Sequence, residues 1–313
     1  MTRGRGWSRR AVVTAAAVLA ALVSCSKSHP RPAASTPTSG PVVIASFNFE
    51  ESELVAEIYA QALEHAGIPV RRELDLGPRE LVLPAVHQGL VDLVPEYTGS
   101  LLAALDPGAH LQGATALEER AALVLVLSSW NVEVLAAAAG EDQNGLVVSA
   151  TLAHRLGVTT DSDLAAVAPR LTLAAPSECP TRPFCLVGFQ SVYGIHFGRF
   201  VPFDAESQRI TALDQQVADV AVLDTTDGVL ATGDFVLLTD DRHLQPTDDI
   251  APIVSDRAVG AYGDRLVAAL DAVSAKLTTP ELIFLNWRVG VAGKNLASEA
   301  RGWLQRQGLV PRG

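Results

Sequence analysis

The chain has 313 residues, of which 48% are apolar, so it is long and hydrophobic enough for one large domain or two ordinary ones. This composition is not that of a disordered chain. Acidic residues outnumber basic ones 35 to 24, which gives a formal net charge of -11. The negative charge excludes nucleic acid as an expected partner, because phosphate binding needs a basic face.

Residues 1–24 have the pattern of an export signal. Four arginines precede the uncharged run AVVTAAAVLAALV, which is shorter than the ~20 residues of a membrane-spanning helix. The tetrapeptide that ends in Cys25 resembles a bacterial lipobox, so we expect lipidation of Cys25 after cleavage. An ordinary signal peptide with an incidental cysteine is the alternative. Residues 25–41, rich in Pro, Ser, Thr and Ala, are predicted to be a flexible tether that holds the protein on the outer face of the bacterial cell membrane.

From Val42 onward, short apolar runs alternate with segments of helical periodicity. In chain order the pattern predicts a strand at VVIAS, a helix at SELVAEIYAQALEHAG, a strand at PVRRELD, a helix at PRELVLPAVHQG, a strand at VDLV and a helix at ATALEERAALVLVLSS. Pro95 is predicted to end the third strand. Residues 96–100 would then form a loop, in which Gly99 lets the backbone approach a ligand closely. Helices between strands favour right-handed crossovers and a largely parallel sheet.

The same alternation returns in the second half of the chain. It predicts a strand at LTLAA, helices at FQSVYGIHFG and ITALDQQ, strands at DVAVLD and FVLLTD, and three final helices at DRLVAALDAVSAKL, TPELIFLNWRVGV and NLASEARGWLQRQG. These strands are too many for one compact sheet. We therefore predict an α/β protein of two lobes, residues 42–140 plus 242–313 and residues 141–241, joined by two crossover strands. A ligand would lie in the cleft between the lobes.

Cys179 and Cys185 are the two cysteines that remain after the signal segment. They lie six positions apart in CPTRPFC. Outside the cytoplasm a disulfide is the expected state of such a pair, and closing this loop contributes roughly 2 kcal/mol on a chain-entropy estimate. A metal site is the alternative, but no histidine lies nearby at ligand spacing, so we expect no metal.

Several segments resemble the extracytoplasmic binding proteins of ABC importers for osmoprotectants such as glycine betaine, choline and carnitine. The most specific is LDLGPRELVLPAVHQGLVDLVPEYTGS, and IASFNFEESELVAEIYAQALEHAG, TRPFCLVGFQSVYG, DVAVLDTTDG and LLTDDRHLQPTDDIAP extend the resemblance over most of residues 43–252. The resemblance implies a type II periplasmic-binding-protein fold whose lobes close over a small ligand. It also implies a lipoprotein anchor, importer permease subunits as partners, no cofactor and a monomeric state.

In that family a cage of tyrosines holds a quaternary ammonium group, because a ring face attracts a cation, and an arginine binds the carboxylate of the ligand. Tyr97 in PEYTG matches one cage tyrosine, and Ser100 stands where threonine is common. Arg182 in TRPFC matches the arginine, although Phe184 and Cys185 replace the usual Asp-Gly. Pairing of Arg182 with Glu178 is the alternative to ligand contact.

The remaining site positions differ from the family pattern. Glu133, Asp224 and Asp248 fall where tyrosines are expected, Thr225 follows Asp224 in DTTDG, and Phe47 replaces a common lysine. Carboxylates accept hydrogen bonds, so we expect a donor-rich ligand: a polyhydroxylated, phenolic or amine compound. Glycine betaine, choline or carnitine is the alternative, since three acids also attract a cation. Each acid could instead be a solvated residue or a helix cap.

Two other classes of function are alternatives. An anchored hydrolase could use Glu133 and Asp224 as a carboxylate pair. However, the sequence has no GxSxG, HExxH or GxxxxGK[ST] motif, so we do not expect an enzyme. A purely structural surface lipoprotein would bind no ligand. A binding protein of an ABC importer therefore accounts best for the pattern.

Overall fold

The computed structural model describes residues 40–109 and 111–312. The predicted signal peptide, Cys25 and the tether up to residue 39 lie outside the described residues. In the described part, the strands are β1 (Val42–Ala45), β2 (Val70–Glu73), β3 (Leu93–Tyr97), β4 (Val132–Val134), β5 (Asn144–Ser149), β6 (Thr172–Ala175), β7 (Arg199–Pro202), β8 (Val220–Asp224), β9 (Phe235–Leu237) and β10 (Ile250–Ser255).

The helices cover most of the segments with helical periodicity. They are α1 (Glu50–His65), α2 (Arg79–His87), α3 (Thr98–Leu105), α4 (Ala116–Val126), α5 (Ala150–Leu156), α6 (Asp161–Leu164), α7 (Leu186–Tyr193), α8 (Glu206–Asp214), α9 (Asp256–Tyr262), α10 (Asp264–Ser274), α11 (Thr279–Asn286) and α12 (Leu296–Arg306). A short π-helix, Trp287–Val291, continues α11. None of the described helices is both long and apolar enough to cross a membrane.

The strands form two five-stranded sheets, each covered by helices. The first has the order β2-β1-β3-β10-β4 and the second the order β7-β6-β8-β5-β9. The chain passes from the first sheet to the second between β4 and β5, and returns between β9 and β10. This agrees with the predicted two-lobed α/β fold. We call each sheet with the helices packed on it the first lobe and the second lobe.

The sheets are mixed rather than largely parallel. β1 is parallel to β2 and β3, and β6 is parallel to β7 and β8. In contrast, β10 is antiparallel to β3 and β4, and β5 is antiparallel to β8 and β9. The antiparallel strands β5 and β10 are the first strands after each passage between the sheets. Both were missed by the sequence analysis.

Pro95 does not end β3, contrary to the prediction. The strand continues through Pro95 to Tyr97, all of it buried, and Pro95 lies opposite Pro252 of β10. In an antiparallel ladder, opposed residues alternate between pairs that exchange both backbone hydrogen bonds and pairs that exchange none. Two opposed prolines fit only a pair that exchanges none. Glu96 and Tyr97 therefore belong to the sheet and not to a loop.

Gly99 serves chain packing rather than the approach of a ligand. A Cβ atom at Gly99 would lie 2.5 Å from Cβ of Pro246 and 2.7 Å from the carbonyl oxygen of Thr247. The Gly99 N–H donates to that same carbonyl at 3.1 Å. The glycine thus allows the segment that returns to the first sheet to cross the start of α3.

Substituting Gly99→Ala should lower the free energy of unfolding by ~1–3 kcal/mol, because the added methyl group overpacks a backbone contact. The matched control is Gly260→Ala in α9, where a Cβ would meet nothing within 4 Å. That change should be neutral or stabilising by up to ~1 kcal/mol, since alanine is the better helix former. Urea denaturation of both variants measures the difference. Equal stability of the two would contradict this role of Gly99.

Candidate functional site

Tyr97 lies at the end of β3 and faces the junction of the two lobes. It is buried, and its hydroxyl donates to Oε1 of Glu51 at 2.9 Å. The ring centroid of Phe49 lies 5.8 Å from that of Tyr97, and Phe47 stacks on Phe49 at 6.0 Å. Burial, together with the charges of Glu51 and Asp142, raises the pKa of Tyr97 well above its ordinary value. Tyr97 is therefore a neutral hydrogen-bond donor.

Glu51 connects three elements of the first lobe to the second. Besides the Tyr97 hydroxyl, its carboxylate accepts a hydrogen bond of 2.6 Å from Nδ2 of Asn286 at the end of α11. The same Nδ2 donates at 2.9 Å to the carbonyl of Thr226, which follows β8. Burial raises the pKa of Glu51, and the hydrogen bonds from Thr226, Asn286 and Tyr97 act in the opposite direction.

Sequence analysis missed both Glu51 and Asn286. A signal existed for Glu51, because it lies three and four residues before Leu54 and Val55 and so shares their apolar helical face. An acid on such a face needs partners from outside its helix. No comparable signal marked Asn286.

Asp224 and Asp142 bring two more carboxylates to the junction. Asp224 ends β8, and its N–H donates to Glu206 at 3.0 Å. Asp142 precedes β5 and accepts from the N–H of Thr226 at 3.3 Å. Burial foremost, and then the charges of Asp224 and Glu51, raise the pKa of Asp142 well above its ordinary value. Burial also raises the pKa of Asp224 to about 7, although the nearby Arg209 opposes the shift.

Thr225 has a supporting position beside these acids. Its hydroxyl oxygen accepts from the backbone N–H of Gln143 at 2.9 Å, and the hydroxyl lies 3.4 Å from Asp142. Its own N–H donates to the carbonyl of Gln143. Thr225 therefore ties the end of β8 to the segment that enters β5.

Asp248 and Ser100 bind each other. Oδ1 of Asp248 accepts from the N–H of Ser100 at 2.7 Å, and Oδ2 accepts from its hydroxyl at 2.6 Å. A carboxylate at the start of a helix meets otherwise unpaired N–H groups and the positive end of the helix dipole. Burial raises the pKa of Asp248 to about 6, while the bonds from Ser100 act to lower it. Asp248 thus matches the helix-cap alternative more closely than a free ligand-binding carboxylate.

The structure does not bring Glu133 to this group. Glu133 is exposed on β4 and lies opposite Val254 of β10, whereas Tyr97 lies opposite Ile250. Four residues of strand separate these two positions by ~13 Å. Phe47 does lie close to the site, but it is buried beneath the guanidinium group of Arg79, whose centre is 5.2 Å from the ring centroid.

A cavity of about 210 Å³ lies between the lobes beside Ser100. Arg79, Ser100, Ala103 and Ala104 line it from the first lobe, and Asn144, Pro176, Glu178, Cys179, Arg182, Pro183, Phe184 and Cys185 line it from the second. Asn144 is also the ladder partner of Asp224, so the cavity adjoins the group of acids. Cys179 and Cys185 are joined by a disulfide, the pairing that the sequence predicts.

Two arginines face this cavity in different ways. Arg182 is 46% exposed, and its Nη2 lies 3.1 Å from Glu80 of the first lobe and 3.8 Å from Glu178. Arg79 was not singled out by the sequence analysis. It is largely buried, with Nε and Nη2 bound to Glu96 at 3.0 to 3.3 Å. Arg182 is therefore the more accessible cation, and in this structure it bridges the two lobes.

Within the described ranges, no group of three or more His, Cys, Asp or Glu side chains could hold a metal ion. The junction acids are nevertheless close enough to raise one another's pKa values. Their arrangement is suited to accepting hydrogen bonds or to attracting a cation.

Comparisons with known proteins identify the family of the chain. Residues 40–306 match the family model described as the substrate binding domain of ABC-type glycine betaine transport system. The chain is 26% identical to the glycine betaine-binding protein YehZ of Escherichia coli, over 86% of this chain and 92% of that protein. It is 24% identical to the ergothioneine transport permease/ergothioneine binding protein EgtU of Helicobacter pylori, over 86% of this chain and 48% of that protein.

A solved structure has the same fold. The crystal structure of a glycine betaine/carnitine/choline ABC transporter protein superposes with a TM-score of 0.74, at 22% identity, and covers 86% of this chain and 99% of that one. At this level of identity the likeness concerns the fold, which is the two-lobed type II periplasmic-binding-protein fold.

Replacing Arg182 tests whether it contacts the ligand or only links the lobes. We expect Arg182→Ala to weaken solute binding at least tenfold, measured by calorimetric titration with the tightest-binding solute. Glu80→Gln should change the affinity less than about fivefold, because an exposed ion pair contributes ~0–1 kcal/mol. Equal losses of affinity in Arg182→Ala and Glu80→Gln would show that Arg182 acts only through its ion pair with Glu80.

Asp224 should make the ligand-free protein less stable as the pH rises. Its pKa of about 7 in the folded state exceeds its ordinary value of 3.8, so between these values the folded chain retains a proton that the unfolded chain has released. The free energy of unfolding therefore falls as the pH rises from about 4 to about 7. Asp224→Asn should flatten this dependence in chemical denaturation at pH 5 and pH 8. The exposed control Asp214→Asn should leave it unchanged, and identical curves for both variants would disprove the assignment.

Proposed function

We propose that the chain captures a donor-rich solute between its lobes and delivers it to an ABC importer, because it belongs to the family of substrate-binding domains of ABC-type glycine betaine transport systems. In this proposal the lobes comprise residues 42–140 plus 242–313 and residues 141–241. A solute that contacts both lobes favours their closed arrangement by its additional contacts there. The predicted signal and Cys25 would export the protein and anchor it to the outer face of the cell membrane.

The observation that carries the choice of solute is the group of carboxylates around Tyr97, of which Glu51 and Asp142 are buried and Asp224 is partly buried. Glu51, Asp142 and Asp224 come from both lobes, and burial raises the pKa of each. A buried carboxylate is costly unless it receives hydrogen bonds or faces a cation. Hydroxyl or N–H groups of a solute would supply those bonds. A trimethylammonium group has no N–H or O–H to donate.

Glycine betaine, choline or carnitine is the second candidate. The family match and the names of the relatives support it, and the same acids would attract a quaternary cation through charge alone. Against it, Tyr97 has only Phe49 as a ring neighbour within 6 Å among the described aromatic contacts. An aromatic cage needs several ring faces around one cation.

A hydrolase receives no support from the geometry. Its proposed carboxylate pair needs Glu133 beside Asp224, but Glu133 is exposed on an edge strand of the first sheet while Asp224 ends a strand of the second. We propose instead that the solute is released chemically unchanged.

A thermal-shift screen tests the proposed function. Polyols, phenols and primary amines should raise the Tm in proportion to occupancy, and glycine betaine, choline and carnitine should raise it less. Tyr97→Ala should weaken the binding of the best solute tenfold or more, and mass spectrometry should recover that solute intact. Preference for the trimethylammonium compounds would support the second candidate. No shift with any solute would reject the binding function.

A further inference from the structure

The disulfide between Cys179 and Cys185 closes a small loop in the wall of the interlobe cavity. We call residues 179–185, which lie between β6 and α7, the disulfide loop. Both cysteines are buried in the core of the second lobe, whereas Arg182 between them is exposed and lines the cavity. The covalent bond therefore lies at the base of the disulfide loop, and Arg182 lies at its tip.

The backbone of Arg182 is bonded to both cysteines. Its N–H donates to the carbonyl of Cys179 at 3.2 Å, and its carbonyl accepts from the N–H of Cys185 at 3.2 Å. Each bond closes a tight turn, and each turn has a proline, Pro180 or Pro183, at its second position, where the fixed φ of proline is favourable. Arg182 is thus the shared residue of two successive turns whose outer ends are joined by the disulfide.

The second of these turns packs against α7. The carbonyl of Cys185 accepts from the N–H of Phe189 at 2.8 Å. A Cβ at Gly188 would lie 2.2 Å from the carbonyl oxygen of Pro183, so the turn lies directly on the helix. The two middle residues of the first turn are exposed. The disulfide therefore fastens an exposed turn to one that is already packed on the second lobe.

The contacts of the Arg182 side chain hold it only weakly. Its ion-pair partners are Glu80 and Glu178, and the three side chains are between 46% and 65% exposed. Exposed ion pairs contribute little and are screened by salt. The two turn bonds, at 3.2 Å, are at the long end of the range for backbone hydrogen bonds. The position of Arg182 beside the cavity is therefore set mainly by the covalently closed backbone.

Resting on the proposed solute-binding function, we propose that the Cys179–Cys185 disulfide is a positioning element of the solute site. It holds Arg182 where its guanidinium group can donate to an acceptor of the solute, in particular to a carboxylate. A loop that is already ordered loses less conformational freedom when the solute binds, so the disulfide increases affinity through Arg182 rather than through its own sulfur atoms. The effect is the same for an amino acid and for a betaine, because both present a carboxylate to Arg182.

Removal of the disulfide with and without Arg182 tests the proposal. We would titrate the wild type, Cys179→Ser/Cys185→Ser, Arg182→Ala and the triple variant with glycine betaine, carnitine and 4-aminobutanoate by calorimetry. The serine pair should weaken each probe that binds the wild type about fivefold, the scale of ordering one side chain on binding. In the Arg182→Ala background the same replacement should change the affinity less than about twofold, because the two effects are coupled. Equal losses in both backgrounds, or no loss in either, would overturn the proposal.

A matched control separates positioning from stability. Val158→Ala truncates a buried core residue of the same lobe, between α5 and α6. It should lower the Tm of the ligand-free protein, as loss of the disulfide does, but leave the affinity for the three probes unchanged. A loss of affinity in Val158→Ala equal to that in the serine variant would assign the effect to stability and overturn the proposal.

NMR relaxation of the ligand-free protein measures the position of Arg182 directly. The order parameter of the Arg182 backbone N–H should be near 0.85, the value of a rigid backbone, in the wild type and should fall below about 0.6 in Cys179→Ser/Cys185→Ser. An order parameter that is the same in both proteins would also overturn the proposal.

The two levels of proposal fail in different ways. If Arg182→Ala weakens the binding of the probes but the serine pair does not, the disulfide has no positioning role and the solute-binding function stands. If none of the three carboxylates binds, but polyols or phenols raise the Tm in the thermal-shift screen, the positioning proposal alone is wrong. If no solute of any class binds to the wild-type protein, the function itself is wrong.

Discussion

The chemistry of the junction between the lobes is governed by the free-energy cost of burying carboxylates without an equal number of cations. Asp92, a buried acid of the first lobe, shows how the fold can supply partners for a carboxylate. Asp92 receives bonds from Arg257, Ser255 and the N–H of Val43, and its pKa is lowered in spite of burial. At the junction, in contrast, the pKa of Asp224 is raised to about 7, and its neighbours are mainly other acids. In the proposed function, a bound solute supplies the missing compensation.

The topology explains why these acids meet. Tyr97 ends β3 and Asp224 ends β8, while Glu51 lies in the first turn of the helix that follows β1, so all three lie at the carboxyl ends of parallel strands. In α/β proteins, ligands commonly bind just beyond these ends of the strands. Because the two passages between the sheets start and end beside these strands, the ends of both sheets face one another. The topology of the fold therefore brings these residues together independently of their side-chain contacts.

Elements with a clear local sequence pattern were predicted, whereas elements that contain residues unusual for a strand were missed. β1, β3, β6 and β8 are apolar runs and were predicted, although the end of β3 was wrong because Pro95 is accommodated by the opposed Pro252. β5 begins with Asn-Gly, which usually signals a turn, and β10 contains a proline that is usually excluded from central strands. Only the tertiary pairing shows that both positions are compatible with a sheet.

The site was predictable to the extent that its residues follow predicted strands. Tyr97 and Asp224 satisfy that condition, and the structure brings both to the junction. Asp248 could not be separated by sequence from a ligand-binding acid, because its bonds to Ser100 join residues 148 positions apart. Likewise, Asn286 belongs to a helix near the end of the chain, and its role appears only when α11 contacts the loop after β8.

The acids also explain how a solute could control closure. Bonds such as Asn286 to Thr226 and Arg182 to Glu80 link the two lobes, while Glu51, Asp142 and Asp224 repel one another across the interface. Like charges from both lobes oppose closure unless some acids take up protons, and a bound donor or cation removes that opposition. Shifting a two-state equilibrium from mostly open to mostly closed requires ~5.5 kcal/mol of preferential binding to the closed form. Hydrogen bonds to charged groups contribute ~1.5–3 kcal/mol each. About two to four such bonds, made only when the carboxylates of both lobes surround the solute, would therefore be sufficient.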